Sequence, residues 1–95
     1  MAKGYVIARA NVTDPEKWSQ YAAKASEAMK IYGGTPIVRG GRCEVAEGEG
    51  RARNVVIVFE SFEAARAYAH SQEYADARAL RAGAGVIDIV VVEGQ

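Results

Sequence analysis

Two stretches of the chain carry too many apolar residues for strands that have one wet face. Val55-Val56-Ile57-Val58-Phe59 is apolar without a break, and Val86 to Glu93 (VIDIVVVE) is interrupted only by Asp88 before its closing glutamate. Side chains alternate between the two faces of a strand, so a strand packed on one side only should alternate apolar with polar. These strands send apolar groups both ways. Both faces of their sheet must therefore be covered, and 95 residues leave little chain to do it. At this size, folding hides only about 64% of the surface that the open chain exposes. A second copy is the simplest cover for the remaining face, and the expectation is a homodimer joined through the open sheet face.

The other elements follow from local signals. Gly4 to Val12 (GYVIARANV) is rich in β-branched and aromatic residues and reads as the first strand. Thr13-Asp14-Pro15-Glu16 then has the form of a capping box, with Thr13 as the cap, Pro15 in the first turn and Glu16 three residues after the cap. Trp18, Tyr21, Ala22, Ala25, Ala28, Met29 and Tyr32 recur at steps of three and four, which makes one amphipathic helix that Gly33-Gly34 stops. Thr35 to Ala46 reads as a second strand with a bulge at Gly40-Gly41. The glycine-rich Glu47 to Arg51 connects it to the third strand, Arg53 to Glu60. Ser61 caps a second helix, and Ser71 offers a second cap inside it, so a break is expected there. Gly83-Ala84-Gly85 leads into the fourth strand. The order strand, helix, strand, strand, helix, strand is the split βαβ arrangement. The predicted fold is a single α+β domain over residues 1–95, ferredoxin-like βαββαβ, with a four-stranded antiparallel sheet and two helices on one face, completed as a dimeric α/β barrel.

The 12 basic and 12 acidic side chains balance, so no nucleic acid and no anionic membrane surface is expected as a partner. No apolar run approaches a membrane span, and Met1-Ala2-Lys3-Gly4 does not open a signal peptide. A lone cysteine fits a reducing compartment, and the expected location is cytoplasmic.

Several segments together resemble one bacterial family. They are Gly4-Tyr5-Val6-Ile7-Ala8, Asp14-Pro15 with Trp18 and Tyr21, Gly33-Gly34, Val38-Arg39-Gly40-Gly41, Phe59-x-Ser61-Phe62, Ser71-x-Glu73-Tyr74, Leu80-Arg81 and Val92-Glu93-Gly94. In order and spacing the chain resembles domain-of-unknown-function family 1330 (DUF1330) over nearly its whole length. The resemblance implies the dimeric α/β-barrel superfamily, which includes cofactor-free monooxygenases, haem-degrading enzymes, lactone isomerases and chlorite-decomposing haem enzymes. It does not imply which activity. Gln72 stands where the family often has proline, and Ala69 where it usually has an aromatic residue.

The residues able to carry chemistry are few. His70 is the only histidine and is the starting point for a general base or haem ligand, although beside Ser71 it reads first as a capping or solvent-facing residue. One histidine and one cysteine cannot supply a metal centre, and no cofactor is expected. Cys43, in a strand pattern, reads as a small buried hydrophobe. Arg39 could hold a carboxylate or enolate through a bidentate guanidinium, or serve as a structural ion pair or dimer contact. Asp88 must be paired or have a raised pKa. Paired with Arg9, Arg39 or Arg81 it is structural; unpaired beside a pocket it is an acid or base. Tyr21, Tyr68 and Tyr74 are core or interface residues, or they line a cleft between helices and sheet with Trp18, Arg39 and Arg81 near its mouth. Such a cleft would take a small, partly aromatic or acidic molecule. The leading expectation is small-molecule binding, or cofactor-free oxygenase or isomerase chemistry in that cleft. The rivals are a structural or regulatory dimer without chemistry and a haem protein ligated through His70.

Overall fold

A computed structural model describes residues 2–95. The elements are β1 (Gly4–Val12), α1 (Pro15–Ile31), β2 (Thr35–Arg39), β3 (Arg53–Phe59), α2 (Phe62–Ala69), α3 (Gln72–Ala79) and β4 (Gly85–Glu93). The strands form one antiparallel sheet in the order β2-β3-β1-β4. This is the ferredoxin-like arrangement, with its second helix split in two. The molecule measures 37 × 33 × 17 Å, and the short dimension accommodates one sheet and one helical layer. Only one face of the sheet is therefore covered by helices.

Strand register sets which residues face the helices. Val6 lies opposite Ile57 and Val91, and Ala8 opposite Val55 and Ile89, so these rows share the helix side. They join Ala10, Phe59 and Ile87 in or against the core, where Val6 and Phe59 are each 2% exposed. The next rows, Tyr5 with Val58 and Val92 and Ile7 with Val56 and Val90, occupy the opposite face. There Val86, Val90 and Val92 are 53%, 54% and 44% exposed. The continuous apolar runs of β3 and β4 thus divide between two apolar faces, and the helices cover one of them.

Caps define the helix ends. Asp14, not Thr13, is the N-cap of α1; its side chain accepts from the Lys17 amide. Tertiary contact explains the shift by one residue, because the amides of Thr13 and Asp14 both donate to the Ala84 carbonyl and hold Thr13 outside the helix. Ser61 caps α2 by accepting from the Ala64 amide. Ser71 caps α3 by accepting from the Tyr74 amide while its hydroxyl donates to the Tyr68 carbonyl, and this double role makes the break after Ala69.

The second strand ends earlier than its sequence pattern predicts. β2 stops at Arg39, and its irregular pairing with β3 falls between Pro36 and Val38, not at the glycines. Gly40 and Gly41 have φ of +74° and +89°, and two successive residues in that region turn the chain out of the sheet. Residues 41–50 form an exposed connection. Cys43 is consequently an exposed loop residue, with its Sγ accepting from Asn54 Nδ2 at 3.2 Å, and is not a buried strand residue.

Candidate functional site

The helices do not rest directly on the whole sheet. A cavity of about 80 Å³ lies between α1 and the sheet, closed at one side by Tyr68 and Ala69 of α2 and Tyr74 of α3. Small side chains make the room. Ala22, Ala25 and Ser26 of α1 face Ala8 and Ala10 of β1, so each wall recedes where the other does. Larger groups frame them: Trp18, Tyr21 and Met29 from α1, and Val55, Ile57, Ile87 and Ile89 from the sheet. The volume exceeds what one ordered water requires, and the lining is mainly apolar, as ligand sites usually are.

The tyrosines of this wall are linked. Tyr21 Oη and Tyr74 Oη are 2.8 Å apart in a buried hydrogen bond. Two hydroxyls carry two protons and one bond uses one of them, so one O–H of the pair remains unshared. Burial raises the Tyr21 phenol far above its ordinary value, and the neighbouring Tyr74 adds to the shift. Burial likewise raises Tyr68, with a further contribution from Tyr74. Both phenols stay protonated at neutral pH, so they are donors here and not phenolate bases. Trp18 packs edge-on against Tyr21 with ring centroids 5.0 Å apart, and Tyr74 lies 5.3 Å from Tyr68.

Two arginines reach the same cavity. Arg39, from the end of β2, is exposed, and its Nη2 donates to Ser26 Oγ of α1 at 3.1 Å, which bridges strand and helix. Arg53, at the start of β3, lines both this cavity and an adjoining, more open groove that shares Ala10, Trp18 and Ala22 with it. Arg53 was not among the candidates read from sequence. The signal was its phase: it falls on the helix-facing row with Val55, Ile57 and Phe59, a polar residue in an apolar register.

The remaining candidates lie elsewhere. Arg81 stacks on Tyr21 from outside, its guanidinium 5.2 Å from the ring centroid, and its Nε is buried without a hydrogen-bond partner. Asp88 is on the opposite sheet face, where its carboxylate accepts from Arg51 Nε at 2.9 Å. The expected partners Arg9, Arg39 and Arg81 do not hold it, although Arg9 lies beside it in register. Even-numbered residues of β4 point away from the helices, which separates Asp88 from Arg39 and Arg81, and Arg9 donates to the Glu49 carbonyl at 3.4 Å instead. His70 is exposed at the C-cap of α2 and does not line the cavity, so it offers no axial ligand there. Among the described residues no group of histidine, cysteine and carboxylate side chains could hold a metal ion, and no helix is long and apolar enough to cross a membrane.

Comparison with solved structures supports the fold. A protein of unknown function from Rhodopseudomonas palustris is similar with a TM-score of 0.76 at 13% identity, covering 99% of this chain and 83% of that one. A cofactor-independent oxygenase from Streptomyces nogalater is similar with a TM-score of 0.67 at 9% identity, covering 100% and 95%. A dimeric ferredoxin-like protein of unknown function from Thermobifida fusca follows with a TM-score of 0.58 at 20% identity, covering 97% and 89%. No curated protein matches the sequence. A family model described as "Domain of unknown function (DUF1330)" matches residues 3–95, and the chain belongs to that family.

Proposed function

We propose that the protein is a homodimer whose protomers each bind a small, largely apolar molecule in the cavity between α1 and the sheet. The observation that carries this reading is the cavity itself, with an aromatic wall and one unshared hydroxyl proton at the Tyr21–Tyr74 pair. An apolar body would fill the space beside Trp18 and Met29, and a carbonyl or hydroxyl oxygen would accept from the tyrosine pair. Among the described residues no carboxylate, imidazole or thiol lines the cavity, so an isomerase that needs a protein base has none there. Cofactor-independent oxygenation, named for the Streptomyces nogalater neighbour, is the second reading, since its chemistry can reside in an electron-rich substrate held away from water.

The uncovered valines of β4 and the rows beside them support the dimer. Light scattering should give about twice the 10.2 kDa protomer mass, and a monomer would overturn that part of the reading. Binding is tested with small aromatic probes such as indole and 2-naphthol in a thermal-shift assay. The wild type should be stabilised, whereas Ala25→Phe, which fills the cavity from α1, should not respond. Absence of any shift in the wild type, or an unchanged shift in the filled variant, would overturn the proposal.

A further inference from the structure

We infer that Arg39 and Arg53 form a two-guanidinium clamp at the cavity mouth, and that the ligand class is therefore apolar carboxylates. This inference rests on the cavity being a ligand site and adds what that site selects. Both arginines belong to helix-facing rows of the sheet, with Arg39 opposite Val55 and Arg53 opposite Ala10. Both side chains line the cavity, and Arg53 extends beside the turn that follows β2. A Cβ on Gly40, the residue following Arg39, would stand 3.4 Å from Arg53 Nη1.

Neither guanidinium is neutralised. Among the described residues the ion pairs are Lys24–Glu27 and Arg51–Asp88, so the carboxylate that does hold an arginine lies on the opposite face of the sheet. Among the described residues Arg39 reaches only the Ser26 hydroxyl, and the Arg53 side chain has no hydrogen-bond partner. The chain has no net charge overall, yet among the described residues its apolar cavity is lined by two positive side chains and no negative one. A guanidinium beside apolar surface gains most from an anion that offers two oxygens in one plane, and a carboxylate has that shape. The aliphatic stems of both arginines would lie along the ligand while their heads meet its charged end. The adjoining groove past Trp18 and Arg53 leaves the anionic end in contact with water.

The test compares phenylacetate with its neutral isostere phenylacetamide by titration calorimetry, on wild type, Arg39→Met, Arg53→Met, the double variant and Ala25→Phe. The wild type should bind phenylacetate roughly tenfold or more tighter than the amide at low salt. Each methionine variant should lower phenylacetate affinity by about tenfold with amide affinity unchanged, and the double variant should show no preference. Added salt should weaken the carboxylate alone. Equal binding of the two compounds by wild type, lost for both in Ala25→Phe, would overturn the clamp and leave the cavity as a ligand site. Failure of both compounds to bind wild type, or undiminished binding to Ala25→Phe, would overturn the site and the clamp together.

Discussion

Tyr21 and Tyr74 each depend on the other's hydroxyl. Removing one leaves its partner buried without a hydrogen bond, so Tyr74→Phe should destabilise the protein by about 1–3 kcal/mol in urea denaturation, and Tyr21→Phe combined with Tyr74→Phe by less than the sum of the single changes. Their titration should also appear in stability. Burial raises Tyr21 and Tyr68 above the ordinary tyrosine value of 10.0, so the folded state keeps protons that the unfolded chain has lost. The contribution is fully present below about pH 10 and declines as pH rises above it. Denaturant midpoints should therefore fall as pH rises above about 10, and the decline should shrink in Tyr68→Phe. The tyrosine positions were legible as the apolar stripe of two helices. Their mutual bond was not, because it joins residues that only the packing of α1 against α3 brings together.

The helix breaks and caps were largely legible because they depend on neighbours in sequence. Ser61 and Ser71 act where the capping pattern places them. Ser71→Ala should lower stability by about 1–2 kcal/mol, more than Asp14→Ala, because the Ser71 hydroxyl is buried and makes bonds in both directions. Chemical denaturation of the two variants side by side checks the order. The misread elements failed for different reasons. The Thr13 box is displaced by the amide bonds to Ala84, a tertiary contact that local propensity does not contain. The run from Thr35 to Ala46 is cut at Arg39 because Gly40 and Gly41, which the sequence reads as a bulge within the strand, take positive φ and turn the chain out of the sheet.

At the scale of the molecule, one apolar sheet face has no cover of its own. Val90, 54% exposed near the middle of that face, is the position where a charge should do most harm to association and little to the fold. Val90→Asp should reduce the light-scattering mass from about two protomers to one with its circular dichroism retained, while Val90→Thr should keep much of the dimer. An unchanged mass in Val90→Asp would place the interface elsewhere. Asp88 shares this face, but its bond to Arg51 gives it a partner there, so its charge is compatible with a covered surface.

The sequence by itself determined the element order, the helix-side stripe, the two caps before α2 and α3, and the surplus of apolar strand, because each is written in periodicity or in neighbours a few residues apart. Only the tertiary structure decided which strand phase faces the helices, and with it the separation of Asp88 from the cavity and the entry of Arg53 into its wall. The physical reason is the two-residue period of a strand: when both phases are apolar the pattern is symmetric, and register against neighbouring strands is what breaks the symmetry.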